Sequence, residues 1–338
     1  MTTDTETISL DAATALLTSA LASNGVPDVA ARSVAHALVS AEAEGQVGHG
    51  FSRLSDYIAQ ARSGKIIATA QPTCTENGPA ALSVDAGHGF AYPALDLAFE
   101  RGVAAARVNG TAAVSVTRSH HCGALSVQVD RIAREGLIGL MVANTPSAIA
   151  PWGASTPLFG TNPIAFAAPR ADGPPLVIDL SLSRVARGKV MNAKKTGQPI
   201  PEGWALDHQG KPTTDPDAAL NGSMVPIGDA KGTALALMVE ILAAVLTGAQ
   251  FSSEMSSYFS ADGPPPGAGQ FLLILRPASR EGFAARIEEL LSQIEAMEGA
   301  RLPGSRRIAA IERARNQGLQ VPSTYLDAAR ALAAVQNG

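Results

Sequence analysis

The residues with most chemical potential lie in Gly48-His49-Gly50-Phe51-Ser52-Arg53, where an imidazole precedes a guanidinium by four positions. If a helix begins near residue 49, both side chains share one face. An imidazole exchanges protons near pH 7, since its reference pKa is ~6.5. A guanidinium holds a carboxylate through two parallel hydrogen bonds. Together they form a minimal site for a small α-substituted acid, although a capping histidine and a solvated arginine would give the same spacing. A second candidate is Arg118-Ser119-His120-His121-Cys122-Gly123-Ala124. It follows a β-branched run at 112–117 and precedes a helical pattern at 127, 129, 132 and 133. A strand-to-helix junction offers unpaired N–H groups and a positive dipole end, and Gly123 and Ala124 let a phosphate come close. The bland alternative is one capping and one packed histidine.

Weaker signals follow along the chain. Phe159-Gly160-Thr161-Asn162-Pro163 is an ordered loop with side-chain donors, or only a turn. Asp179-Leu180-Ser181 ends a strand. Lys231 sits in the first turn of an apolar helix, against the dipole preference, which points to an anion nearby. Arg301-Leu302-Pro303-Gly304-Ser305-Arg306-Arg307 is either a solvated basic turn or a phosphate or carboxylate clamp. Zinc would require further ligands; His36, His88 and His208 are scattered and no H-x-x-x-H or C-x-x-C occurs, so no metal is expected. A metal-dependent hydrolase stays only as a remote alternative.

The elements that must position these residues are readable from periodicity. Helical spacing covers 10–21, a second helix beginning at Pro27-Asp28, and a third segment holding Phe51, Leu54, Tyr57, Ile58 and Ala61. A short strand at 81–84 and a helix from 93 to about 108 come next. Then strand 112–117, helix 124–135 and strand 137–143 alternate, followed by a Pro/Gly-rich loop at 146–163 and a strand at 175–182. The stretch 192–226 reads as a long, ordered surface excursion, 231–246 as a buried helix and 271–275 as a strand. Helices at 280–297, 305–316 and 323–336 close the chain. Helices at both ends around strands in the middle predict a helical layer on a central α/β or α+β domain. The expected division is 1–118 with 280–338 as the helical, substrate-side and dimerisation layer, and 119–279 as the central sheet-containing domain.

Composition narrows the class. The 338 residues are 46% apolar and 17% charged with a net charge of −4, as in a globular protein. No block of Lys or Arg forms the surface a nucleic acid needs, and the most apolar run, 234–246, is too short to span a bilayer. Neither nucleic acid nor membrane is expected as a partner. Two cysteines, Cys74 and Cys122, make no disulfide framework, and the acidic N-terminus does not read as a signal peptide. A reduced, cytoplasmic setting is therefore expected. A dinucleotide enzyme often shows G-x-G-x-x-G after an early strand, and no convincing copy occurs.

Gly48-His49-Gly50 with Arg53 and Tyr57, Ser119-His120-His121, 159–163, Asp179-Leu180-Ser181, Pro201-Glu202-Gly203-Trp204 and Arg301-Leu302-Pro303-Gly304 stand in the order of a known family. Over nearly its whole length the chain resembles the type-2 malate/L-lactate dehydrogenases. The resemblance implies a non-Rossmann sheet domain that binds NADH or NADPH, which accounts for the missing glycine motif. It also implies a homodimer with the site near the subunit interface, and a small carboxylate substrate. Carried over, His49 looks like the proton donor, and Arg53 and Thr161 like substrate contacts. His120, His121, Cys122, Gly123, Ala124, Asp179, Leu180, Ser181, Lys231, Arg301, Pro303, Gly304, Arg306 and Arg307 match cofactor-binding stretches. The arginines of 301–307 would suit the 2′-phosphate of NADPH. Ala43-Glu44-Gly45-Gln46, Ala150-Pro151-Trp152-Gly153 and Leu180-Ser181-Leu182-Ser183 look most like the Δ1-pyrroline-2-carboxylate and Δ1-piperideine-2-carboxylate reductases. That resemblance implies reduction of a cyclic imine to L-proline or L-pipecolate, with a malate- or lactate-type 2-hydroxy acid as the alternative substrate. Gly48 replaces a serine common in the family, and Lys189 lies where some imino-acid reductases carry an acid nearby. A serine–histidine–aspartate relay is thus not expected, and His49 must be oriented by other groups.

Overall fold

The N-terminal helical pattern folds as the spacing predicts in the computed structural model, which describes residues 4–335, the side chain of Lys195 apart. Strand β1 (Thr5–Ile8) enters α1 (Leu10–Ala22), whose first turn is capped by Ser9 accepting from the N–H of Ala12 at 3.2 Å. Helix α2 (Asp28–Ala43) packs its Ala30, Val34, Leu38 and neighbours on α1. The third helix starts later than expected. Two 3₁₀ turns, Val47–His49 and Phe51–Arg53, precede α3 (Leu54–Arg62), so His49 is not part of that helix. Gly50 separates the turns and lies against the buried Glu42: a Cβ there would stand 1.9 Å from Glu42 Oε2. The same oxygen accepts from the N–H of Phe51 at 2.9 Å, which fixes where the second turn begins.

The sheet is built from β2 (Thr73–Gly78), β3 (Ala81–Asp85), β4 (Thr111–Ser119), β5 (Ile138–Ala143), β6 (Ile164–Ala168) and β7 (Leu176–Leu180), with a seventh strand from later in the chain. Helix α4 (Ala91–Asn109) crosses from β3 to β4, their parallel pairing requiring such a connection, and α5 (Leu125–Arg134) joins β4 to β5. After β7 come α6 (Arg187–Thr196), β8 (Ala205–Leu206), β9 (Pro212–Thr213), α7 (Pro216–Asn221) and β10 (Ser223–Met224). The three short strands form their own small sheet, so the expected surface excursion is an ordered subdomain. Helix α8 (Ala230–Glu240) runs into a π turn at Ile241–Val245. Strand β11 (Ala268–Leu275) then inserts between β4 and β5, giving the order β2-β3-β4-β11-β5-β6-β7. Helices α9 (Arg280–Glu295) and α10 (Ser305–Gln317), strand β12 (Leu319–Pro322) and α11 (Ser323–Ala333) end the chain, with β12 pairing to β1.

Alternation along the strands divides the core. Ala112, Val114 and Val116 of β4 meet Leu272 and Ile274 of β11 on the face covered by α4 and α5. Ala113, Leu140, Val142, Phe271 and Leu273 pack on the opposite face with Ala236, Val239 and Ala243 of the α8 region. The sheet crosses the boundary expected at 118/119, because β2, β3 and β4 share it with the later strands. One expectation is corrected: the 231–246 helix is not buried all round. Gly232, Ala236, Val239 and Ala243 are buried, but Leu237 is 48% exposed and Val245 58%. No helix among the described residues is long and apolar enough to cross a membrane.

Candidate active site

Strand β4 delivers the histidine pair through a constrained exit. Arg118 has φ 49°, a conformation costly for a residue with a Cβ. Asp85 at the end of β3 holds it: Arg118 Nε donates to Asp85 Oδ1 at 2.9 Å and its Nη2 donates to Oδ2. Two residues later His120 and His121 are buried, at 1% and 8% exposure.

The His121 ring stacks on His49, with centroids 5.2 Å apart and planes 18° from parallel. This stack is the contact that could orient His49 in place of a serine relay. His121 Nδ1 lies 2.6 Å from Tyr57 Oη, and Tyr57 Oη lies 2.9 Å from Tyr92 Oη. Burial pushes both tyrosine hydroxyls up, Tyr57 to about 12, so they stay protonated. Burial, and then the Arg53 charge, lower His121 well below the usual imidazole range. A neutral ring beside two hydroxyls completes one continuous chain, Tyr92–Tyr57–His121 Nδ1, whose direction follows the His121 tautomer. Gly123 makes room for this chain; its φ is 68°, and a Cβ there would lie 2.6 Å from Tyr92 Oη. His120 is fixed separately, its Nε2 2.8 Å from Gln60 Oε1, while its Nδ1 is buried without a partner. Burial, then Lys65 and Arg53, lower His120 to about 3.

His49 is half-buried, with Nδ1 closed off from partners. Burial and the nearby Arg53 lower its pKa to about 4, so it is a neutral base at pH 7. Arg53 itself is 4% exposed. It meets Asp56 at 3.3 Å and lies 4.4 Å over the Phe259 ring, but its Nε is buried without a hydrogen bond. A buried guanidinium with an unused donor has the chemistry to receive a carboxylate. His49 and Arg53 thus lie on two successive 3₁₀ turns, not on one face of a helix beginning near residue 49.

The second group of expected residues lies around the start of α5. Asp179, at the end of β7, accepts from the N–H of Ser126 at 2.8 Å, so the chain's own carboxylate occupies that first-turn donor. Ser126 Oγ donates to Glu44, and Arg307 Nη1 donates to Glu44 Oε1 at 2.9 Å and its Nη2 to Asp130 Oδ1 at 3.3 Å. Arg307 is thus a buried ion-pair partner within the fold. Arg301, Pro303, Gly304 and Arg306 instead line a cleft of about 400 Å³. Gly304 is needed there: φ is 80° and a Cβ would stand 2.8 Å from the Val177 carbonyl. Leu180 is exposed at the strand end, and Ser181 Oγ lies 2.6 Å from Ser183 Oγ. Cys122 is a free thiol that burial pushes up to about 12, which leaves it inert. Ala124, buried, caps α5 without a side-chain bond. Thr161 lies across from Thr145, its N–H donating to Thr145 Oγ1 at 2.9 Å. Lys231 is exposed in the first turn of α8, and none of the described contacts joins it to the histidines. Among the described residues no group of three His, Cys, Asp or Glu side chains is arranged to hold a metal ion.

Sequence reasoning missed Gln60, Lys65, Tyr92, Tyr258 and Phe259. Tyr258 packs its ring 5.3 Å from His120 and 5.2 Å from His121. Its signal was faint: two adjacent aromatics in a chain that is only 4% aromatic.

Residues 8–329 match the family model described as malate/L-lactate dehydrogenase. The chain belongs to the malate/L-lactate dehydrogenase family. It is 52% identical to a (2R)-3-sulfolactate dehydrogenase (NADP(+)) of Chromohalobacter salexigens, covering 96% of this chain and 98% of that one. It is 41% identical to a Δ1-pyrroline-2-carboxylate/Δ1-piperideine-2-carboxylate reductase of Pseudomonas putida, covering 91% and 92%. The crystal structure of the Δ1-piperideine-2-carboxylate reductase of Pseudomonas syringae superposes with a TM-score of 0.92 at 38% identity, over 97% of this chain and 99% of the other. The family expected from the motifs is the family found, and this chain is an oxidoreductase. The imino-acid reductases named among the expectations are relatives, but a sulfolactate dehydrogenase is more similar.

Proposed function

We propose that this family member is an NADP-dependent oxidoreductase that interconverts a small 2-hydroxy acid and its 2-oxo acid. The observation that carries the reading is a neutral His49 beside a buried Arg53 with an unused donor. A neutral imidazole takes a proton from a hydroxyl, and Arg53 grips the adjacent carboxylate. The similarity to a sulfolactate dehydrogenase supports the same substrate class. Reduction of a cyclic imino acid is the second reading, supported by the relatives at about 40% identity.

The residues present fit a nicotinamide dinucleotide. His120 Nδ1 and Gln270 Oε1 are buried without partners beside the strand end, and Gly304 opens the cleft flanked by Arg301 and Arg306. His120 to Ala124, Asp179 to Ser181 and 301–307 would hold the cofactor, with Arg301 or Arg306 on a 2′-phosphate; Asp179 and Arg307 would act by fixing the walls. Lys231 and Thr161 retain their proposed cofactor and substrate roles. When bound, the nicotinamide supplies the hydride acceptor for C2. The protein's own work is then positional. Arg53 sets the carboxylate, His49 accepts the hydroxyl proton and returns it in the reverse direction, and His121 holds His49 in its plane.

Steady-state kinetics of two variants test this assignment. His49→Ala lowers turnover by about 10²–10⁴ if it exchanges the proton. Arg53→Lys raises KM chiefly, because the paired hydrogen bonds are lost. Wild-type turnover in the first, or an unchanged KM in the second, removes that residue from its role.

A further inference from the structure

The C-terminal end of α3 grips one distant turn through donors alone. Gln60 Nε2 donates to the Tyr258 carbonyl at 3.0 Å and Ser63 Oγ donates to the Ala261 carbonyl at 2.8 Å. Lys65 Nζ donates to three carbonyls, those of Ser257 at 2.6 Å, Ser260 at 2.9 Å and Asp262 at 2.9 Å. Lys65 is 1% exposed, so its ammonium has given up water for these three oxygens. Each of its three protons has one acceptor, and no carboxylate oxygen is in hydrogen-bond contact with it. The turn it holds is the one that carries Tyr258 onto His120 and His121 and puts Phe259 under Arg53. Gln60 closes the circuit. Its amide nitrogen must face the Tyr258 carbonyl, which can only accept, so its oxygen faces His120 Nε2 at 2.8 Å and fixes that ring's proton there.

We propose that Lys65 is a positioning residue, a tethered monovalent cation that seats the 257–262 turn and through it Tyr258 and Phe259 against the two histidines and Arg53. Three carbonyls around one positive charge are a cage for a small cation, and the lysine supplies that cation covalently. Without it the carbonyls face each other with no donor, the turn loosens, and the guanidinium loses its aromatic support. The kinetic consequence rests on the substrate role of Arg53 given above; the structural one does not.

The test pairs Lys65→Ala, which empties the cage, with Lys65→Met, which keeps the stem and removes the charge. Hydrogen exchange of the 255–263 segment and the KM–kcat split are read in each, with ammonium, methylammonium or potassium chloride and with tetramethylammonium chloride at equal ionic strength. Exchange in the turn is expected to speed up by about tenfold or more in both variants while the β5 and β11 amides are unchanged. KM for the carboxylate substrate rises about tenfold, the loss expected for a desolvated cation–aromatic contact, and the cofactor KM stays within about twofold. A small cation restores both quantities in Lys65→Ala, whereas tetramethylammonium, too large for the cage, does not; Lys65→Met is not rescued. Unchanged exchange, or rescue by every salt alike, overturns the proposal. If Lys65→Ala folds only with a small cation present, the proposal holds; if no salt recovers it and Lys65→Met behaves as wild type, it fails. An enzyme inactive on every acid tried would remove the functional reading, and the exchange data would still decide on Lys65.

Discussion

The ionisation of His49 is the property on which the chemistry turns. Burial and the Arg53 charge both disfavour the imidazolium, and they lower its pKa to about 4. In the free enzyme the base form is therefore present throughout the neutral range. The profile of kcat/KM for oxidation should show no break near 6.5 and should fall about tenfold per pH unit below about 4, since that quantity reports the free enzyme. A break near 6.5 would mean that His49 is solvated and is not held as the structure has it. The same shifts act on stability. His49 and His120 have folded pKa values below their unfolded ones, at about 4 and about 3. As pH falls from about 6.5 toward 3, the unfolded chain takes up protons that the folded chain refuses, so stability is lost in that window and is retained above it. The types and spacing of His49, Arg53 and the histidine pair were legible in the sequence. Their stacking was not, because it joins a 3₁₀ turn to a strand end some seventy positions away, and no periodicity encodes that.

At the scale of elements, the turn from β4 into α5 carries most of the site. It is a tight construction. Arg118 and Gly123 both take positive φ, and the carboxylates of Asp85 and Asp179 pin its two ends. Gly123→Ala should be destabilising by about 1–3 kcal/mol, because it combines an unfavourable backbone conformation with displacement of Tyr92. Thermal unfolding checks this; a wild-type Tm would show that the Tyr92–Tyr57–His121 chain tolerates the methyl group. The β-branched run and the helical pattern on either side predicted this junction, with strand ends within two residues. What they did not predict was the occupant of the helix start. A free helix end suits a phosphate, yet Asp179 comes from β7, which pairs with β6, and β6 was read as part of no strand. Strand β2 resists detection because it is a largely exposed sheet edge with few apolar residues, and β6 because it is a short run of small side chains buried between β5 and β7.

On the scale of the whole molecule, the same limitation shaped the expected division of the chain. A boundary at 118/119 follows the change from helical to strand-rich sequence, whereas the sheet takes its strands from both sides of it. The apolar run at 231–246 was read as buried for a sound reason, its lack of a polar face. One side does pack on the sheet. The other presents Leu237, Met238, Ile241, Val245 and Leu246 to solvent. We propose that a second copy of the chain covers this surface, which lies outside the 1–118 and 280–338 layer expected to dimerise. Leu237→Asp should then shift the protein toward monomer, measured by sedimentation velocity across a concentration series. A wild-type dimer in that variant, or a monomeric wild-type protein, would contradict the assignment of this face.

The central claim is hydride exchange between a nicotinamide cofactor and a small carboxylate substrate held by Arg53 and deprotonated by His49. Nicotinamide absorbance tests it most directly, with NADP⁺ or NAD⁺ and a panel of (2R)-3-sulfolactate, malate and lactate, and with NADPH or NADH and the two cyclic imino acids. The account predicts oxidation of a 2-hydroxy acid with NADP⁺ preferred, slowed by about 10²–10⁴ in His49→Ala. Turnover of the cyclic imines alone would replace the substrate class, and no absorbance change with any combination would contradict the account itself.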